Sequence, residues 1–378
     1  MSPTSIRMAL VVVNLLHLLL FSVALVRSDR STMPLRSFKI SGNVTYDCID
    51  IDKQPGLDHP LLKNHKIQMK PSVSIHEIKN QTQINKTYKE KIKCPYGTVP
   101  IVRRTNEFIT NAQLLADKYF HPLSPDSSGT HIAGIKQHGG PYHGISARFN
   151  AYKLDIGEDQ ASYSQMYIGN GYYGEFNFIS AGLMTNPSIF GDSRLWSYGY
   201  WKGKYAKGCY NTVCPGFVQV SNVVPIVKPF DLKPGEQAAL EWSIARDKQT
   251  GNWWIIQTGK PNAYIGYWPK ELFHLMYDGA SMVGVGGVSQ ALKSGFSPPM
   301  GNGKFPKRGI LTSALFSNVD VLNSMYEKRR INVDVPVEKL LDSVNCYGIR
   351  IGNRVKFWTT PLGYFFNYGG PGGTSCGV

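Results

Sequence analysis

From His131 to the C-terminus, glycine cuts the chain every eight to twelve residues into short stretches of alternating apolar and polar side chains. Alternation with period two is the signature of half-buried strands, and turn residues at that spacing predict an all-β sandwich or barrel. Glycine and proline, 38 and 23 of 378 residues, together with 21 tyrosines and 7 tryptophans, lean the same way, since these residues favour turns and strands over helices. Leu240, Trp242 and Ile244 alternate with Glu241, Ser243 and Ala245, so their apolar set is expected to face a core. The DKQTGN stretch then turns the chain into WWIIQ, which predicts a hairpin.

The preceding residues read differently. Arg7 leads into an apolar run from Met8 to about Leu25, with Ser22 and Ala24, or Val26 and Ser28, as small residues before a cleavage point. This is the pattern of a secretory signal peptide over residues 1–28. A signal anchor is the rival reading, which Asn14 and His17 weaken, and no later stretch is long and apolar enough to span a bilayer. Residues 29–125 are polar and rich in Lys, Asn and Gln. Near their end Asn106 is placed to cap a helix, with Glu107 in its first turn and Phe108, Ala112, Leu115 and Tyr119 at helical spacing. HPLSPDSSG (His121 to Gly129) has the composition of a linker or processing loop. The expected organisation is therefore 1–28, 29–125 and 126–378.

A secreted chain folds in an oxidising compartment, where Cys48, Cys94, Cys209, Cys214, Cys346 and Cys376 are expected to form three disulfides; six cysteines allow 15 pairings. Sequons occur at Asn43, Asn80 and Asn85, whereas Pro187 disqualifies Asn186. No cysteine pair is matched to a histidine pair at zinc spacing, and His131, His138 and His143 do not share a face, so neither metal nor another cofactor is expected.

The net charge of +15 suits an acidic partner, but its runs (Lys202, Lys204, Lys207; Lys304, Lys307, Arg308; Lys328, Arg329, Arg330) are dispersed among turn residues. Nothing resembles a nucleic-acid arm; adhesion to an acidic cell-wall polysaccharide is the alternative this charge leaves open. HExxH and phosphate loops are both missing.

Long segments nevertheless carry a resemblance. YDCIDIDKQPGLDHPLLKNHKIQMKPS and CPYGTVPI resemble the activation peptide of the plant neprosin family, and GCYNTVCPGFVQV, TGNWW, GYWPKELF and YGGPGG resemble its peptidase domain. The resemblance implies a two-sheet antiparallel β-sandwich, jelly-roll-like, with a cleft, preceded by a mixed α+β prosegment. It implies a glutamic endopeptidase cutting after proline at acid pH, and the pairings Cys48 with Cys94, Cys209 with Cys214 and Cys346 with Cys376. Extracellular (apoplast) or vacuolar residence and proline-containing polypeptide partners are implied with it.

Such a peptidase needs two carboxyl groups across the scissile amide, one ionised to activate water and one protonated to serve the leaving amine. This chain departs from the family there. NFISAGL aligns with a motif resembling NSIEAGW, so Ser180 stands in the place of the first glutamate and Leu183 in that of a tryptophan. ASMVGVGGVSQ aligns with one resembling ASMVEWGGEV, so Val288 stands in the place of the second glutamate, and Gly284 and Val285 replace an acidic or amide residue and a tryptophan. Phe178, Leu183, Gly284 and Val285 are thus the candidate cleft residues. Glu175 is an odd number of residues from Ser180 and should point away, and Ser180 has no base or elbow that would make it a nucleophile. A catalytically inactive family member with a surviving peptide groove is the leading expectation; an active peptidase using shifted acids and a carbohydrate-binding module are the alternatives. Trp196, Tyr198, Tyr200, Trp201, Trp254, Tyr267 and Trp268 are the aromatics that could line a groove for proline-rich peptides or stack on sugars.

Overall fold

A computed structural model describes residues 33–40, 42, 44–72, 92–118, 129–172, 175–204, 208–258, 262–291, 295–310, 312–352, 356–357 and 360–376. The expected signal segment, all three sequons, Tyr119, Lys207 and the linker up to Ser128 fall outside these residues. From Pro34 onward the chain is one compact unit.

Its N-terminal part is a three-stranded antiparallel sheet of β1 (Arg36–Lys39), β2 (Thr45–Asp50) and β3 (Thr98–Val102), followed by helix α1 (Asn106–Lys118). The helix forms where its spacing places it, with Ala112 and Leu115 buried. Its cap is one residue earlier than expected: Thr105 Oγ1 accepts the Phe108 amide at 3.1 Å, and Asn106 is already helical. Threonine fills this role as well as asparagine, because either side chain can satisfy an orphan amide of the first turn.

The strands that follow are β4 (Thr130–Tyr142), β5 (Gly144–Tyr152), β6 (Gln160–Tyr172) and β7 (Glu175–Thr185), then the short helix α2 (Pro187–Phe190). Next come β8 (Leu195–Lys202), β9 (Gly208–Tyr210), β10 (Val218–Gln219), β11 (Lys228–Phe230), β12 (Gln237–Arg246), β13 (Trp253–Gln257), β14 (Ala263–Trp268) and β15 (Ala280–Ala291). The chain ends with β16 (Ala314–Leu322), β17 (Lys328–Arg330), β18 (Glu338–Leu341), β19 (Gly348–Ile351), the small β20 (Lys356–Phe357) and β21 (Thr360–Pro361) ribbon, and β22 (Phe366–Gly369). They build two large antiparallel sheets. The first runs β11-β8-β7-β6-β15-β4-β18 with β9 beside β8; the second runs β10-β14-β13-β12-β5-β16-β22-β19 with β17 beside β16. The all-β sandwich and the β12–β13 hairpin are as the sequence predicts, and Trp242 and Ile244 are buried.

Side-chain parity fixes which face of each sheet meets the other. Ser164 on β6 bonds Tyr368 on β22 at 2.6 Å, and a Cβ on Gly287 would meet Tyr368 and Met300. Even positions of β6 and odd positions of β7, β8 and β15 therefore point into the space between the sheets. Three disulfides close the fold in the pairing implied by the resemblance: Cys48–Cys94, Cys209–Cys214 and Cys346–Cys376.

Candidate active-site face

Ser180 and Val288 lie on the same face of the first sheet, the one turned away from the second. Strand β6 runs between their strands, with Tyr167 opposite Ser180 and Tyr163 opposite Val288. Gln165 is opposite both Gly182 and Gly286, so it occupies the diagonal between the two positions on the same face. That residue carries the polar chemistry of this face, and sequence reading misses it because only the register of three strands brings it there.

Three oxygens form a closed triangle. Ser180 Oγ and Tyr198 Oη lie 2.9 and 2.7 Å from Gln165 Oε1, and 2.9 Å from each other. The two hydroxyl protons are shared among three oxygens, and all three side chains are buried. Tyr163, in turn, lies 3.5 Å from Tyr210 Oη and receives the Asn186 amide at 3.2 Å. Burial pushes the phenols of Tyr198, Tyr163, Tyr210 and Tyr167 up from their ordinary value, so each remains a hydrogen-bond donor and none is a base. Among the described residues, no carboxylate or imidazole hydrogen-bonds to Ser180 or Gln165. Glu175 points to the opposite side of β7 from Ser180, as parity requires, and sits 3.2 Å from His274.

The remaining space is filled with rings. Phe178 stacks between Tyr167 and Phe176, at 5.6 Å from each. A side chain on Gly284 would collide with the Tyr167 ring and with the Ile135 carbonyl, so Tyr167 fills the room that an acid or amide at 284 would take. Tyr210 on β9 packs on Tyr200 at 4.7 Å. At the other end Phe190 of α2 stacks on Trp196 at 4.3 Å, and Phe108 of α1 leans on Phe190 at 6.0 Å. The N-terminal part thus touches the aromatic roof of this face.

Two sets of expected cleft residues need correction. Leu183 and Val285 each lie three residues from Ser180 and Val288, an odd number, and so point between the sheets rather than into the cleft. The seven candidate groove aromatics do not share a surface. Trp196, Tyr198 and Tyr200 belong to the Ser180 face, Trp268 packs inside near Gly199, and Trp201 lies on the opposite side of β8 from Tyr200, under His59 at 5.8 Å. Trp254 and Tyr267 are on the outer face of the second sheet, where Leu57 and Ile67 of the N-terminal part pack on them. None of the seven exceeds 5% exposure. In the last of the basic runs, Lys328 pairs with Asp320 at 2.9 Å and Arg329 with Glu327 at 2.9 Å.

A family model described as Neprosin matches residues 158–371, more than half of the chain, and one described as Neprosin activation peptide matches residues 39–131. The chain belongs to the neprosin family. Among solved structures it is similar to scytalido-glutamic peptidase with a transition state analog inhibitor, with a TM-score of 0.36 at 11% identity, covering 65% of this chain and 99% of that one. It is also similar to SCP-B, a member of the Eqolisin family of peptidases, in a complex with the tripeptide Ala-Ile-His, with a TM-score of 0.33 at 10% identity and the same coverage. As a neprosin-family chain it keeps the two-sheet frame and the activation-peptide segment, with Ser180, Gln165 and Val288 across the face just described.

Proposed function

We propose that this chain is a secreted, catalytically silent member of the neprosin family, a peptidase-like scaffold that binds polypeptide without cleaving it. The observation that carries this reading is the Ser180–Gln165–Tyr198 triangle: three neutral groups that satisfy one another in a buried setting, beside a valine at the other glutamate position. Amide hydrolysis at acid pH requires one group that gives a proton and one that takes it. An amide oxygen, a serine hydroxyl without a neighbouring base and phenols held above their normal pKa supply neither role. Secretion is supported by the N-terminal apolar run and by three disulfides. No helix among the described residues is long and apolar enough to cross a membrane.

The test is turnover of a proline-containing fluorogenic peptide between pH 3 and 7 by the purified full chain. The expected result is a rate equal to that of the heat-denatured protein. Turnover that survives repurification and disappears on Gln165→Ala would restore the chain to the active peptidases.

A further inference from the structure

The outer face of the second sheet holds a polar site that the family's chemistry does not use. It is built by the turn between β12 and β13, Asp247 to Asn252, and by Trp254. Asp247 Oδ1 accepts the amides of Gln249 (3.1 Å) and Thr250 (2.8 Å) and the Thr250 hydroxyl (2.9 Å), while Asn252 Oδ1 accepts the Lys270 amide at 3.2 Å. These bonds all lie within the sandwich, so the turn holds its own shape. Two spare N–H donors, and the Thr250 hydroxyl whose one proton is shared with Asp247, converge on one point. Thr250 Oγ1, Asn252 Nδ2 and Trp254 Nε1 lie 2.8, 2.9 and 3.2 Å from the side-chain carbonyl oxygen of Gln68.

The geometry dictates what fits. An indole N–H only donates, so the atom it faces must be an acceptor; the Gln68 amide is therefore oriented by its surroundings. A carboxylate would also accept, but the Thr250 hydroxyl bridges this point to the Asp247 carboxylate, and a second negative charge at that range is disfavoured. Beside the socket, Ile67 packs with Leu57 against Val218, Val220, Trp254, Ile256 and Tyr267. The Gln68 backbone N–H donates to Tyr267 Oη at 2.9 Å, and the Ser72 backbone N–H donates to Asp247 Oδ2. The site therefore reads an aliphatic residue, then an uncharged amide side chain, then a backbone N–H four residues on.

We propose that the Asp247–Trp254 hairpin is a peptide-recognition site specific for an aliphatic–glutamine pair in an extended segment. Residues 57–72 occupy it in cis. A free peptide of the same chemistry takes the site when that segment is weakened. The donors are preorganised by the sandwich itself, which is the condition for binding without a large ordering cost. The site stands on the opposite side of the molecule from the Ser180 face and does not depend on whether that face hydrolyses anything.

The experiment uses the full chain and its Gln68→Leu variant, which keeps side-chain bulk and removes the acceptor. Amide exchange over Lys66–Ser72 is expected to quicken about tenfold or more, corresponding to about 1.4 kcal/mol. A labelled synthetic peptide Leu57–Ser72 is then titrated against both proteins. It should bind the variant at least about tenfold more tightly than the unsubstituted chain, and the same peptide with Leu or Glu in place of Gln should lose that gain. Unchanged exchange, or equal binding of the Gln, Leu and Glu peptides, overturns the proposal. Thr250→Val provides a second route from the hairpin side. It should loosen Lys66–Ser72 to a similar degree, and protection equal to that of the unsubstituted chain would overturn the proposal as well.

Discussion

The outer faces of the two sheets have treated burial in opposite ways. On the first, Ser180 and Val288, which motif resemblance aligns with glutamates, lie beside Gln165, Tyr198, Tyr167 and Phe178, and the Ser180–Gln165–Tyr198 oxygens satisfy one another. On the second, Asp247, Asn252, Thr250 and Trp254 keep directed polar groups, and a separate part of the chain satisfies them. Buried polar groups must find partners in either case. Where the partners come from the same sheet the face is a piece of core, and where they come from another segment it is an interface.

The sharpest way to break this contrast is to return a charge to the first face. Val288→Glu places a carboxylate between Tyr163 and Ile132, with no cationic residue opposite it among the described residues, and an uncompensated buried charge costs about 3 kcal/mol or more. Urea unfolding at pH 7 should show that loss. Burial raises the folded-state pKa of such a glutamate above its unfolded value near 4.3, so the penalty is fully present above the folded pKa and fades as pH falls toward 4. A variant as stable as the parent at pH 7 would mean that the face is open to water and the closed description is wrong.

On the second face the corresponding change is Asp247→Asn. Burial raises the Asp247 pKa, but the amides of Thr250 and Ser72 and the Thr250 hydroxyl outweigh it and leave the carboxyl below its ordinary value. Its stabilisation is present above the unfolded pKa near 3.9 and is lost as pH falls through the folded value. At pH 7 the substitution should cost about 1.5–2 kcal/mol, in the range of hydrogen bonds to a charged group, and should release the Ser72 amide in exchange measurements. Equal loss of protection at Gln165 would show that the two faces unfold as one and that the contrast is not local.

Tyr198→Phe removes one vertex of the triangle while Ser180 still serves Gln165 Oε1. A loss of about 1 kcal/mol is expected in thermal or urea unfolding, smaller than for Asp247→Asn because a neutral bond is removed and the acceptor keeps a donor.

How much of this is legible in the sequence follows from which contacts are local. The β12–β13 hairpin, helix α1 and the direction of Glu175, away from the Ser180 face, are set by short-range pattern, and each can be read directly. The same parity rule, applied three residues along from Ser180 and Val288, already places Leu183 and Val285 on the inner face; motif alignment alone does not carry that information. Gln165 is different in kind, because its place between β7 and β15 is a property of strand register, which no single segment encodes. The sidedness of Trp254 and Tyr267 is likewise unreadable, since their burial comes from Leu57 and Ile67, almost two hundred residues away in the chain.

The smallest expected effect is the most specific to the comparison. Tyr267 Oη receives the Gln68 amide and lies 2.8 Å from His65 Nε2, to which its own proton is then directed. That arrangement needs His65 neutral at Nε2, and burial lowers the His65 pKa, with Glu271 at 3.7 Å opposing it. Burial lowers the His59 pKa too, where its ring meets Trp201. A histidine with a depressed folded-state pKa binds more protons when released, so its contribution is intact above about pH 6.5 and declines as pH falls toward the folded value. On the first face the shifted groups around Ser180 are phenols moved upward. Exchange corrected for intrinsic rates, compared at pH 7 and pH 5, should therefore loosen His59–Gln68 by a few-fold while β6 and β7 stay unchanged. His65→Gln, which retains an acceptor for Tyr267 but cannot titrate, should flatten most of that response. An undiminished response in the variant would assign the acid sensitivity to His59 at Trp201 instead.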